Sequence, residues 1–86
     1  MDVMFGFSPE KRRLIGNAGD VPGCWDIIRR FLKDHNYKSY YQRISEQEDG
    51  SLWIDVGSWS EFFWIIDGGK KLTIEDTRNC GKIEAD

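Results

Sequence analysis

Residues 51–66 constrain the fold of this chain most strongly, because they hold three of its four tryptophans and two of its five phenylalanines. Residues 52–56 alternate in the way that half-buried strands do. Residues 61–66 are rich in aromatic and β-branched side chains, which favour strands. A sheet that buries only one face could not cover so much apolar surface. The surplus must be covered by another part of the chain, a second copy or a partner.

Turn signals divide the second half of the chain into short segments. Asp-Gly at 49–50 and Asp-Gly-Gly at 67–69 are typical of hairpin turns. A weaker alternation covers residues 38–46, and residues 71–75 alternate again. We therefore predict an antiparallel meander of three to four strands over residues 38–76. One alternative stays open: Ser58 and Glu61 have capping-box spacing and would begin a short helix ending at residue 66.

One long helix is predicted over residues 21–35, where apolar side chains recur at the helical period. Asp20 is placed to cap it. Upstream, Ser8 followed by Pro9 predicts a shorter helix, so residues 1–20 are interpreted as an entry segment and a short helix. Residues 77–86 are predicted to be a loose tail. The expected fold is one small α+β domain, residues 1–86, with N-terminal helical segments packed on one face of the meander.

Side chains alternate between the faces of a strand, so the pattern also predicts which face each one occupies. The inner face, under the long helix, is assigned to Tyr40, Ile44, Leu52, Ile54, Val56, Phe62, Trp64, Ile66, Leu72 and Ile74. The outer face then carries an apolar strip with a charged rim, as protein–protein hot spots do. Its predicted partner-binding residues are Tyr41, Arg43, Trp53, Asp55, Phe63 and Ile65. Residues 3–7 folded back over this strip are the alternative cover.

The chain carries no motif that commits it to a reaction. Its one histidine, His35, and its two cysteines, Cys24 and Cys80, lack metal-ligand spacing, so we expect no metal and no cofactor. His35 would lie about 16 Å from Cys24 along one helix, too far to activate that thiol. No apolar run approaches the ~20 residues of a membrane span. We expect a non-enzymatic protein in a reducing, cytoplasmic setting, with no membrane association.

Charge is distributed unevenly along the chain, whose net charge is −3. Residues 1–43 hold eight Lys and Arg against five Asp and Glu, whereas residues 44–86 hold four against ten. The basic residues define an alternative nucleic-acid-binding patch, namely Arg12, Arg13, Arg29, Arg30 and Lys33. The aromatic strip, however, belongs to the acidic half, where phosphates would be repelled.

In general profile, a short, acidic, aromatic-rich α+β chain without catalytic equipment resembles the small binding proteins and inhibitors carried by phages and mobile elements. The resemblance rests on no motif and implies no role for any residue. The sequence thus predicts a small interaction domain that binds another protein, or forms a homodimer, through the outer sheet face. Nucleic-acid binding through the basic patch is the alternative.

Overall fold

The computed structural model describes residues 1–57, 60–81 and 83, and in them one α-helix packs on a five-stranded antiparallel sheet. The elements are β1 Asp2–Gly6, β2 Arg12–Asn17, α1 Val21–Asp34, β3 Arg43–Glu46, β4 Leu52–Asp55, β5 Phe62–Ile66 and a 3₁₀-helix, Ile74–Thr77. The strand order across the sheet is β2-β1-β5-β4-β3. The expected mixed α+β class with an antiparallel sheet is confirmed, but the arrangement of the elements differs from the prediction.

The first seventeen residues form two strands of the sheet, and the predicted short helix is wrong. β1 pairs with β2 on one side and with β5 on the other, so Ser8 and Pro9 belong to a turn, a role that both residue types also favour. The turn depends on Gly6, because a Cβ there would lie 2.1 Å from the Lys11 carbonyl oxygen. The partner of β1, strand β5, lies far along the chain, and no local pattern could reveal that pairing.

The long helix is present as α1. Asp20 caps it, since its side chain accepts a hydrogen bond of 2.8 Å from the Gly23 amide. Pro22 occupies the first turn, where no intrahelical partner for its missing N–H is needed. The buried stripe matches the predicted period and consists of Val21, Cys24, Trp25, Ile28, Phe31 and Leu32. Among the described residues, no helix has the length and apolar character needed to cross a membrane.

The hydrophobic core lies between α1 and the sheet. Between the central strand β5 and its neighbour β1, Phe5 pairs with Phe63 and Val3 pairs with Ile65. The Phe5 ring centroid lies 4.5 Å from that of Phe31 and 4.8 Å from that of Phe63, so this cluster joins the helix to the middle of the sheet. Fully burying such a side chain contributes roughly 1.5–3 kcal/mol.

The segment after β5 is packed on the rest of the domain instead of extending the meander. Residues 67–70 close a tight turn through a bridge between Asp67 and Lys70, and residues 71–73 join no ladder. Leu72 is buried, but Ile74 is 48% exposed in the 3₁₀-helix. The predicted strand at 71–75 is therefore wrong. Leu72 is buried even though this segment pairs with no neighbouring strand.

The predicted loose tail is also wrong within the part of it that the structure describes. Thr77, Cys80 and Ile83 are buried. The Ile83 amide donates a hydrogen bond of 2.9 Å to Gln42 Oε1, which ties this segment to the residues before β3.

Candidate interaction surface

On the outer face of the sheet, opposite α1, the side chains of β5 differ from those that the sequence predicted. Phe63 and Ile65 are 0% exposed and belong to the core, so their assignment to the outer face is wrong. A shift of one residue moves every side chain of a strand to the opposite face. Residues 62–66 are apolar at every position, so no polar residue marks the solvent side. The outward-facing residues are Phe62, Trp64 and Ile66.

The other strands were assigned more accurately. Leu52 and Ile54 lie in the core, as predicted, and Ile44 packs against it. Tyr40 is 72% exposed and lies in no strand, so its inner assignment is wrong. The alternative in which residues 3–7 fold over the outer face is not observed, because Val3 belongs to β1 and to the core. The alternative helix ending at residue 66 is not observed, because residues 62–66 form a strand. Its predicted cap, Ser58, lies outside the described residues.

Neighbouring strands place their outward-facing side chains in rows across the sheet. One row follows the pairs Leu14–Met4, Met4–Trp64, Trp64–Trp53 and Trp53–Ser45. A second row contains Arg12, Gly6 and Phe62 on one side and Asp55 with Arg43 on the other. The helix α1 packs on the opposite face and leaves these rows uncovered. We define the aromatic surface as Met4, Leu14, Trp53, Phe62 and Trp64.

The rings of the aromatic surface support one another. The Trp53 and Phe62 centroids lie 4.8 Å apart, and Phe62 meets Trp64 edge-on at 6.2 Å, geometries that aromatic pairs prefer. The Arg12 Cζ atom lies 5.2 Å from the Trp64 ring centroid, within cation–π range. Trp64 is 3% exposed, Trp53 and Phe62 are half-buried, and Leu14 is 58% exposed. The surface therefore offers a partner the restrained and partly accessible rings of Trp53 and Phe62, whereas the Trp64 ring is buried.

The polar side of this face is formed around Asp55. This carboxylate is 6% exposed and accepts hydrogen bonds from the Tyr41 hydroxyl, at 3.2 Å, and from the Gly57 amide, at 2.9 Å. Arg43 pairs with Asp55 in the ladder, and its Cζ atom lies 5.1 Å from the Tyr41 ring. Tyr41 and Arg43 are exposed. Asp55 therefore positions an accessible Tyr–Arg pair at the edge of the aromatic surface.

Of the residues predicted to bind a partner, the structure brings Trp53, Tyr41 and Arg43 to accessible positions on or beside this face. Sequence reasoning missed Phe62 and Trp64, whose strand it placed in the opposite register, and Met4 and Leu14. The short apolar run at residues 3–5 carries a weak strand signal, but it does not show which strand lies beside it.

The basic residues of the alternative patch are divided among different sides of the domain. Arg12 lies on the outer face, whereas the Arg13 Cζ atom lies 5.9 Å from a phenylalanine ring of α1, on the core side. Arg29 donates hydrogen bonds to an aspartate of its own helix and to a carbonyl oxygen beyond the 3₁₀-helix. Arg30 lines a groove of about 300 Å³ between β2 and α1, and Lys33 is exposed on the helix. Arg12 and Arg13 line one groove together with Lys11 and Glu61, whereas Arg29 and Lys33 belong to α1.

The two thiols are poor candidates for chemistry. Cys24 and Cys80 are buried and free. Burial raises the pKa of Cys24 to about 11 and raises that of Cys80 above its usual value. Since the thiolate is the reactive form, both groups are inert near neutral pH. The described residues also contain no group of three or more His, Cys, Asp or Glu side chains that is placed to hold a metal ion.

We expect neither cysteine to be alkylated by iodoacetamide in the folded protein at neutral pH, because each thiol is protonated and shielded. The same reagent should modify both in denaturant, which serves as the control. Intact-mass measurement counts the adducts. Rapid labelling of Cys24 in the native state would contradict the burial described above.

Comparison with protein-family models, with curated proteins and with solved structures finds no match to this chain.

Proposed function

We propose that this chain is a non-catalytic interaction domain that binds another protein through the aromatic surface. The observation that carries the proposal is the presence of partly accessible, mutually packed rings, Trp53 and Phe62, on the sheet face that α1 leaves uncovered. Because neighbouring rings already restrain these side chains, they lose little conformational freedom on binding. Tryptophan, tyrosine and arginine are also the residues most enriched at binding hot spots.

The size of the face limits the strength of the interaction. Five strands at about 4.8 Å spacing and about five residues of 3.3 Å each give a face of about 24 by 17 Å. That area, about 400 Å², is roughly half of what one partner buries in a standard interface. A partner must therefore also contact the rim, where Tyr41 and Arg43 are exposed.

Two further observations support a protein partner and a reducing location. Glu61 lies in the groove that Arg12 and Arg13 line, and its carboxylate would repel a phosphate backbone, which argues against nucleic acid. The buried free thiols of Cys24 and Cys80 suit a cytoplasmic protein better than a secreted one. A homodimer through the same face is the competing outcome of the binding test.

Trp53→Ala is expected to weaken binding by about 2 kcal/mol or more, roughly thirtyfold, because it removes a half-buried anchor from the middle of the surface. The partner is first captured on the immobilised wild-type domain, identified and purified, and its affinity is then measured by calorimetry. Sedimentation equilibrium of the domain alone tests the homodimer.

Tyr40→Ala is the matched control, since this aromatic side chain is 72% exposed and lies off the sheet. It is expected to bind as the wild type does. Equal affinities for the wild type and Trp53→Ala, or equal losses in both variants, would contradict the proposed function.

A further inference from the structure

Arg12 is a positively charged side chain on the aromatic surface that forms no ion pair with a described residue. Its side chain lies against the Trp64 ring. Its Nη1 atom is buried and donates no hydrogen bond to the described residues, whereas the residue as a whole is half-buried and stays partly accessible. A buried guanidinium nitrogen without an acceptor is rare in folded proteins, because desolvating it is costly.

Glu61 lines a groove together with Arg12 but forms no ion pair with it, and two other carboxylates are already engaged. Asp55 accepts hydrogen bonds from Tyr41 and Gly57. Asp49, in the turn between β3 and β4, accepts hydrogen bonds from the Ser51 hydroxyl and amide, at 2.6 and 2.9 Å. These hydrogen bonds are the main reason why its pKa lies below the usual value, and the charge of Arg12 contributes less. The acceptor that would suit Arg12 is therefore not supplied by these groups.

We propose that the aromatic surface recognises an acidic, apolar protein segment, in which an Asp or Glu carboxylate pairs with Arg12 while a neighbouring apolar side chain packs on Trp53 and Phe62. This inference rests on the proposed function and adds the chemistry of the partner. A hydrogen bond between a guanidinium and a carboxylate is among the strongest available to a protein interface. It also fixes the orientation of the partner segment, which apolar contact alone does not do.

A protein carboxylate fits the charges of this face better than a phosphate backbone does. Arg12 and Arg43 lie on the two edge strands, about 19 Å apart at four strand spacings. Asp2 and Asp55 lie on the same face. A nucleic-acid strand carries a negative charge about every 3.4 Å, so it would meet these aspartates as well as the two arginines. A single carboxylate beside Arg12 avoids that repulsion.

Three small probes test the inference without knowledge of the partner. Benzoate carries the ring and the carboxylate, benzamide is its neutral isostere, and benzylamine is the cationic counterpart. Each is titrated into the domain while NMR follows the indole N–H signals of Trp53 and Trp64 and the Nε–H signal of Arg12. We expect saturable shifts with benzoate and about tenfold weaker binding of benzamide and benzylamine, because each lacks the charge-assisted hydrogen bond.

Variants separate the charge from the rings. Arg12→Gln should abolish the preference for benzoate over benzamide, whereas Trp53→Ala should weaken both probes together. Arg30→Gln, which removes an exposed arginine from the β2–α1 groove, is the matched control and should bind all three probes as the wild type does. If Arg12→Gln does not fold, sodium chloride titration of the wild type replaces it, and benzoate affinity alone should fall with salt.

Several outcomes would overturn the inference: equal binding of benzoate and benzamide, retention of the benzoate preference in Arg12→Gln, or benzoate binding that salt does not weaken. Tighter binding of a DNA oligonucleotide that is lost in Arg12→Gln would overturn it by assigning Arg12 to a phosphate. The proposed function fails separately, when Trp53→Ala leaves the affinity of the purified protein partner unchanged.

Discussion

Replacing Phe63 with alanine is expected to lower the free energy of unfolding by about 3–5 kcal/mol, because it empties the centre of the core. Phe63 is 0% exposed, and its ring lies 4.8 Å from that of Phe5 and 5.7 Å from that of Phe31. A loss of that size is a large fraction of the stability of so small a domain. The variant should therefore be partly unfolded near room temperature, or unfold far earlier in urea.

Phe62, the preceding residue, provides the matched control. Its ring lies on the outer face and is half-buried, so Phe62→Ala is expected to cost about 1 kcal/mol, as typical single substitutions do. Urea unfolding of both variants, followed by far-ultraviolet circular dichroism, measures the difference. If Phe62→Ala were the more damaging change, β5 would have the opposite register and the aromatic surface would have to be reassigned.

Gly6→Ala is expected to destabilise the domain by about 3 kcal/mol, because the added methyl group has no space. Its carbon would lie 2.1 Å from the Lys11 carbonyl oxygen and 2.5 Å from the Arg12 Cα atom, and both are backbone atoms that cannot rotate away. The turn between β1 and β2 would have to open, which would separate the edge strand from the sheet. Arg12 would then lose its position over Trp64, so binding should weaken together with stability.

Gly19 is the matched control for this substitution, since a Cβ there meets nothing within 4 Å. Gly19→Ala is expected to be neutral or to stabilise by up to about 1 kcal/mol, through the lower entropy of the unfolded chain. Differential scanning calorimetry of the two variants checks the prediction. Equal melting temperatures for Gly6→Ala and the wild type would mean that β1 and β2 do not approach each other as described.

The features that could be predicted from the sequence are those that depend on the spacing of nearby apolar residues or on a local capping residue. The apolar spacing of residues 21–35, together with Asp20, led to α1 within one residue of its observed end. The alternation of residues 52–56 placed Leu52 and Ile54 on the core face, and the Asp-Gly at 49–50 placed the turn before them. Each of these signals lies within a few residues of the structure that it specifies.

The tertiary structure alone decided two kinds of feature. One is the pairing of residues that lie far apart in the chain, and the other is the orientation of a strand in which no polar residue marks the solvent side. β1 pairs with β5, a contact between the two halves of the chain that no short segment encodes. Residues 62–66 are apolar throughout, so either register buries good side chains, and pairing with Phe5 and Ile54 selected the one that places Phe63 in the core. The sequence by itself therefore determined that aromatic surface would remain outside the core. Tertiary pairing decided that this surface is Trp53, Phe62 and Trp64 beneath Arg12. In a strand that is apolar on both sides, only the pairing with its neighbours determines which side chains face the core.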